Sequence, residues 1–270
     1  MIRAFNMVCE NPIEYQAWLV KGKRYFEETW PKHTRELNQF IQGGEISGDG
    51  LKKHWFADVH PHVFISHSHQ DEALALGLAG YLREMGIKPF VDSLVWGDSN
   101  ALLRKIDEQF CWDLPEKKYF NYDKRNYSTS HVHMMLASAL AETIDRSDAV
   151  VFLNTPNSIE VSSAERAGDE VTASPWIYQE LVTTKIARES GYKGRALVTT
   201  GLEHIFDAAI FEKSIASSLK VLHKPPMDHL AHLEPSDLAS IKKSGKMGLA
   251  ALDLLYFHRN VAAPVDGSGR

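Results

Sequence analysis

Cysteine is nearly absent from this chain of 270 residues, which carries only Cys9 and Cys111. Two thiols build no disulfide framework, and their scarcity suits a reducing compartment, so a cytoplasmic location is expected. Long apolar runs are missing too. No segment approaches the roughly 20 apolar residues that span a bilayer, and Met1 to Glu10 lacks a basic stretch leading into an apolar one. Neither a membrane span nor a secretory signal is expected. Positive charge is not in excess: 30 Lys and Arg face 35 Asp and Glu, a formal net charge of -5. That balance argues against a protein built to bind nucleic acid. A glycine-rich dinucleotide fingerprint, a G-x-S-x-G elbow and internal repeats are likewise lacking, which disfavours a hydride-transfer cofactor and a serine hydrolase. What remains is ordinary globular composition, 44% apolar and 24% charged, in a chain long enough for a full core.

The order of elements defines three segments. Residues 1–58 read as a helical, aromatic extension, with helices expected around Glu14–Glu28 and Lys32–Ile41 and a glycine turn at Gly48–Gly50. Residues 59–225 carry an α/β rhythm. The strand His62–Ser66 leads through a polar turn into a helix from Glu72 to Met85, whose stripe is Leu74, Leu78, Tyr81 and Leu82. Gly86 stands where a left-handed C-terminal residue belongs. A second strand follows at Ile87–Asp92, with Pro89 pointing to a sheet edge. A loop at Ser93–Asn100 and a helix at Ala101–Phe110 come next. Residues 111–127 read as an inserted loop, with Ser128–Ser130 capping a helix over His131–Ile144. The strand Asp148–Leu153, a polar loop to Ser174 and a helix from Pro175 to about Glu189 complete the ordered pattern. Further strands are expected at Arg195–Thr200 and Leu219–Leu222. Residues 226–270 read as one helix, Pro235–Phe257, and a disordered tail.

Within this pattern, Ser174-Pro-Trp-Ile-Tyr-Gln-Glu180 is the most informative stretch. Trp176 and Glu180 lie four residues apart and so share a helical face. An indole beside a carboxylate suits a flat cationic heteroaromatic group together with a ribose. Equally, a tryptophan packs in cores and a helical glutamate commonly faces water.

Several motifs occur in an order that resembles Toll/interleukin-1 receptor (TIR) domains. Val63-Phe-Ile-Ser-His-Ser68 is similar to the family's first strand and following loop, and Phe90-Val-Asp92 to its second strand and BB loop. Ser147-Asp-Ala-Val-Val-Phe-Leu153 followed by Ser174–Glu180 resembles its third strand and the helix bearing the catalytic glutamate. The likeness covers roughly residues 60–225 and is nearest to stand-alone bacterial TIR proteins, including those of antiphage systems such as Thoeris. The insertion at 111–130 and the long loop at 154–174 depart from the pattern.

The resemblance implies a flavodoxin-like three-layer fold with a central parallel sheet. It also implies an enzyme that cleaves the nicotinamide–ribose bond of NAD+, either hydrolysing it or cyclising the ADP-ribose. NAD+ would then be a substrate, with no other cofactor. Expected partners are further copies of the chain, through TIR–TIR contacts, and a separate effector activated by the product. A non-enzymatic TIR adaptor is the competing reading, although adaptors commonly lack the glutamate. Glu180 is the expected catalytic residue. Trp176, Phe64, Ser66, His67, Ser68, Asp92 and Trp96 are the expected substrate-binding residues. For His67 and Ser68 the alternative is helix capping, and for Trp96 a subunit contact. Three i, i+2 histidine pairs (His60/His62, His67/His69, His131/His133) have a spacing that metal sites use. Two of them flank one strand at opposite ends, so no metal site is expected.

Overall fold

A computed structural model describes residues 3–9, 15–29, 41–42, 45–55, 59–95, 99–113, 115, 118–161, 169–189 and 221–259. In chain order the strands are β1 (Arg3–Val8), β2 (Ile41–Gln42), β3 (Glu45–Ile46), β4 (Val63–Ser66), β5 (Pro89–Phe90), β6 (Ala149–Asn154), β7 (Glu160–Val161), β8 (Glu170–Val171) and β9 (Ala231–Leu233). The helices are α1 (Leu19–Thr29), α2 (Gly48–Trp55), α3 (Glu72–Glu84), α4 (Asp92–Val95), α5 (Ser99–Phe110), α6 (Tyr122–Arg146), α7 (Pro175–Glu189), α8 (Pro235–Lys243) and α9 (Leu249–His258).

Five strands make one parallel sheet in the order β5-β4-β6-β1-β9. Strands of such sheets are buried on both faces and therefore read as near-continuous apolar runs. β6, Ala149-Val-Val-Phe-Leu-Asn154, is buried along its first five residues. Alternate residues serve opposite layers. Phe5, Met7, Val63, Ile65, Val151 and Leu153 pack under α1, α3, α8 and α9. Ala4, Phe64, Phe90 and Val150 pack under α2, α5 and α6, while Phe152 meets Ile177 and Leu181 of α7. The outcome is the expected α/β class, a three-layer, flavodoxin-like arrangement around a parallel sheet. Among the described residues no helix is long and apolar enough to cross a membrane.

The ends of the chain depart from the sequence reading. Residues 1–58 are not solely a helical extension, because Arg3–Val8 forms an interior strand between β6 and β9. Its Phe5 and Met7 are fully buried, and Arg3 is buried with its guanidinium 3.5 Å from the Tyr256 ring centroid. Gly48–Gly50 begins α2 instead of closing a turn; α2 docks through buried Leu51 and a Lys52–Glu142 ion pair to α6. Residues 226–270 likewise contribute the edge strand β9. The single expected helix there is two, broken where Gly245 and Gly248 take positive φ of 71° and 59°. The Gly248 amide donates to the Met85 carbonyl at 2.7 Å, next to Gly86, whose φ of 69° ends α3 as the sequence implies.

The insertion differs as well. α6 starts at Tyr122, where the Asn121 side chain accepts a hydrogen bond from the Lys124 amide at 3.1 Å. Ser128 is no cap: it is buried inside the helix and donates to Asp107 at 2.7 Å. Ser93–Val95 lies in the short helix α4, and the loop after β6 holds the β7–β8 hairpin. Val221 and Leu222 are not in a strand; His223 alone bridges to Thr172. The expected helix at Lys32–Ile41 falls outside the described residues apart from Ile41. The expected strand at Arg195–Thr200 and the tail fall wholly outside them.

Candidate functional site

Because all five strands are parallel, their carboxyl ends open on one side, where α/β sheets bind ligands. β4 ends at Ser66, with His67 and Ser68 following; β5 ends at Phe90, with Val91 and Asp92 following. Ser66 occupies the same pleat face as Phe64, two residues earlier, and that face turns toward the α6–α7 layer. Pro175 starts α7 with its ring at a position that needs no intrahelical N–H. The second turn of α7 then brings Glu180 over the end of β4. The Ser66 hydroxyl donates a hydrogen bond to Glu180 Oε2, linking strand end to helix.

Ser66 is completely buried and Glu180 is 3% exposed. Burial pushes the Glu180 carboxyl well above the usual carboxylate range, the nearby Asp92 charge pushes it further, and the Ser66 hydroxyl opposes both. Asp92, at the first turn of α4, is also raised, chiefly by burial. Against that, His67, the backbone amides of Ser93 and Asp92, and His69 all favour its ionised form. Asp92 retains partial exposure even though protein atoms surround its carboxyl. The better-served anion of this pair is Asp92, and the proton rests more readily on Glu180.

His67 adjoins this pair. It is 8% exposed; its Nε2 lies 3.4 Å from Ser93 Oγ, and its buried Nδ1 has no hydrogen-bond partner among the described residues. Leaving a buried ring nitrogen unpaired costs about 1–3 kcal/mol, which marks it as a group awaiting a partner. Ser68 instead caps the short 3-10 turn His69–Asp71, accepting from the Gln70 amide. Ser68 is partly exposed beside the same crevice.

The remaining expected site residues separate. Phe64 is fully buried against Phe90, with ring centroids 5.4 Å apart, so it packs the core and presents no face to a ligand. Trp176 packs on the apolar layer between sheet and α6, edge-to-face with His133 at 5.6 Å, and is partly exposed. Trp96 lies outside the described residues. The histidine pairs His60/His62 and His67/His69 stand at opposite ends of β4. Among the described residues no group of three or more metal-ligating side chains occurs.

Two contributors escaped the sequence reading. Ser93, taken as part of a loop, faces His67. Asp71, taken only as part of a turn, is buried and receives hydrogen bonds from Thr155 Oγ1 at 2.6 Å and Asn157 Nδ2 at 2.8 Å. It ties the turn after β4 to the turn after β6. Its only sequence signal was an acidic residue just ahead of a helix. No family model, curated protein or solved structure matches the chain.

Proposed function

We propose that this chain is a TIR-type enzyme that cleaves the nicotinamide–ribose bond of NAD+. The observation that carries this reading is Glu180, a buried carboxyl tied to Ser66 and set beside Asp92 at the carboxyl edge of a parallel sheet. Breaking that bond sends the bonding pair to the pyridinium nitrogen, and nicotinamide departs neutral. The leaving group needs no proton; the ribose, gaining positive charge, needs a carboxylate. A pyridinium cation arriving beside the pair favours loss of the Glu180 proton, so the charge appears where the ribosyl cation forms. In so dry a site that carboxylate acts at low dielectric.

His67 serves the ribose or phosphate oxygens through its unpaired nitrogen. The product is ADP-ribose or a cyclised derivative. In the fullest form of the proposal the enzyme acts in the bacterial cytoplasm during antiphage defence, assembles through its own copies, and activates a separate effector. The test is nicotinamide release from NAD+ by purified protein alongside Glu180→Ala. Release by the wild type alone supports the proposal. Release by neither, even with concentrated or crowded protein, leaves the scaffold reading; equal release by both removes Glu180 from the chemistry.

A further inference from the structure

We propose that the same Asp92–Glu180 pair also cleaves neutral N-ribosides, with Glu180 as the acid that protonates the departing base and Asp92 as the anion that steadies the ribosyl cation. This rests on the reading that the site breaks N-glycosidic bonds, and extends its substrates from a pyridinium to ordinary purine nucleosides and nucleotides.

A site for pyridinium alone needs one carboxylate. Here two carboxyls from different elements converge, Glu180 on α7 and Asp92 at the head of α4, and their surroundings differ. Protein atoms surround both carboxyls, but Glu180 has one hydroxyl donor, whereas Asp92 is faced by two amides, His67 and His69. Environments that hold one carboxyl protonated and leave its neighbour ionised mark an acid and its counterpart. Glycoside cleavage with a poor leaving group uses such a pair.

The step balances. Glu180 gives its proton to a ring nitrogen of the purine while the C1′–N9 pair passes to the base, which leaves neutral. The ribosyl cation at C1′ is met by the Asp92 carboxylate, and water then adds to C1′. The proton released by that water returns to the Glu180 carboxylate. Base and ribose (or ribose phosphate) are the products, and no co-reactant beyond water enters.

The two substrate classes demand opposite states of Glu180. Cleavage of a pyridinium uses its carboxylate, whereas cleavage of a neutral riboside uses its acid. Among the described residues, the titratable groups that face this pair are His67 after β4, His69 in the following turn, and the two carboxyls themselves; Ser66 and Ser93 supply neutral hydroxyls. kcat/KM reports the free enzyme. Nicotinamide release should therefore rise with pH through the same midpoint at which adenine release falls.

The experiment follows adenine release from adenosine and from adenosine 5′-monophosphate, and nicotinamide release from NAD+, across pH by chromatography. Wild type is compared with Glu180→Gln and Asp92→Asn prepared identically. Expected are adenine release by the wild type with a falling alkaline limb, its loss in Glu180→Gln, and a loss of about 100-fold or more in Asp92→Asn. Nicotinamide release with adenosine and its monophosphate intact overturns this inference and leaves the NAD+ proposal standing. Adenine release without nicotinamide release overturns the NAD+ proposal and keeps the inference. Adenine release that rises with pH, or persists in Glu180→Gln, overturns the acid role; neither product overturns both readings.

Discussion

The Ser66 hydroxyl donates to Glu180 Oε2 across 114 positions of sequence, joining the last residue of β4 to the second turn of α7. The donor favours the ionised form of a carboxyl that burial and Asp92 both disfavour. Ser66→Ala removes that support and leaves Glu180 more firmly protonated. The rise of nicotinamide release with pH should move to higher pH in this variant. A profile that does not move, in a folded variant, shows that the hydroxyl leaves Glu180's ionisation unchanged.

Glu180 also sets a pH dependence of stability. Its folded-state affinity for the proton exceeds that in the unfolded chain, so the folded state binds more protons between the two pKa values. Stability attributed to this group is fully present below the unfolded value, near that of an ordinary glutamate, and is lost as pH rises through the raised folded value. Glu180→Gln carries no such charge. Its melting temperature should match the wild type at acid pH and exceed it increasingly toward neutral and alkaline pH. A constant difference across that range contradicts a buried, reluctantly ionised carboxyl.

What the sequence made legible follows from period and punctuation. β4, β6, α3 and α7 declared themselves through apolar runs, a helical stripe, Gly86 and Pro175, and those elements carry Ser66, His67 and Glu180. β1 stayed hidden because its run is headed by Arg3 and interrupted by Asn6; Arg3 is buried with its guanidinium against Tyr256, from the far end of the chain. β9 is three residues long, too short for any alternation to register. The opening turns of α6 lack an apolar stripe, since Tyr122 and Tyr127 there are 70% and 71% exposed. Asp92 was placed at the crevice by its position after a strand, but its opposition to Glu180 depends on how α7 lies across β4. No local pattern encodes that crossing.

Glycines let α1 and α3 approach backbone to backbone. A Cβ on Gly22 would stand 2.0 Å from the Leu76 carbonyl oxygen, and one on Gly80 2.2 Å from that of Trp18. Both obstacles are main chain, so the helices must separate to admit a methyl group. Gly22→Ala and Gly80→Ala should each destabilise by about 1–3 kcal/mol, the usual cost of overpacking. Gly48→Ala is the control, because nothing among the described residues lies within 4 Å of its Cβ position. Urea denaturation curves check the contrast, and equal midpoints for all three variants contradict the close packing.

The sharpest test of the architecture is removal of residues 1–8. Were those residues part of an appended extension, the rest would fold without them. Instead β1 pairs with β6 along six positions and with β9 along three, so its loss splits the sheet and strands β9. It also removes Phe5 and Met7, both fully buried, and the Arg3 partner that holds Tyr256 and hence α9. Each large core side chain is worth about 2–5 kcal/mol, and a whole domain retains only about 5–15 kcal/mol of net stability. The truncated chain should show no cooperative thermal transition by circular dichroism, while Phe5→Ala alone should fold with stability lower by about 3–5 kcal/mol. A truncated protein melting cooperatively near the full-length temperature would show that the sheet is complete without β1, and the strand order given above would then be wrong.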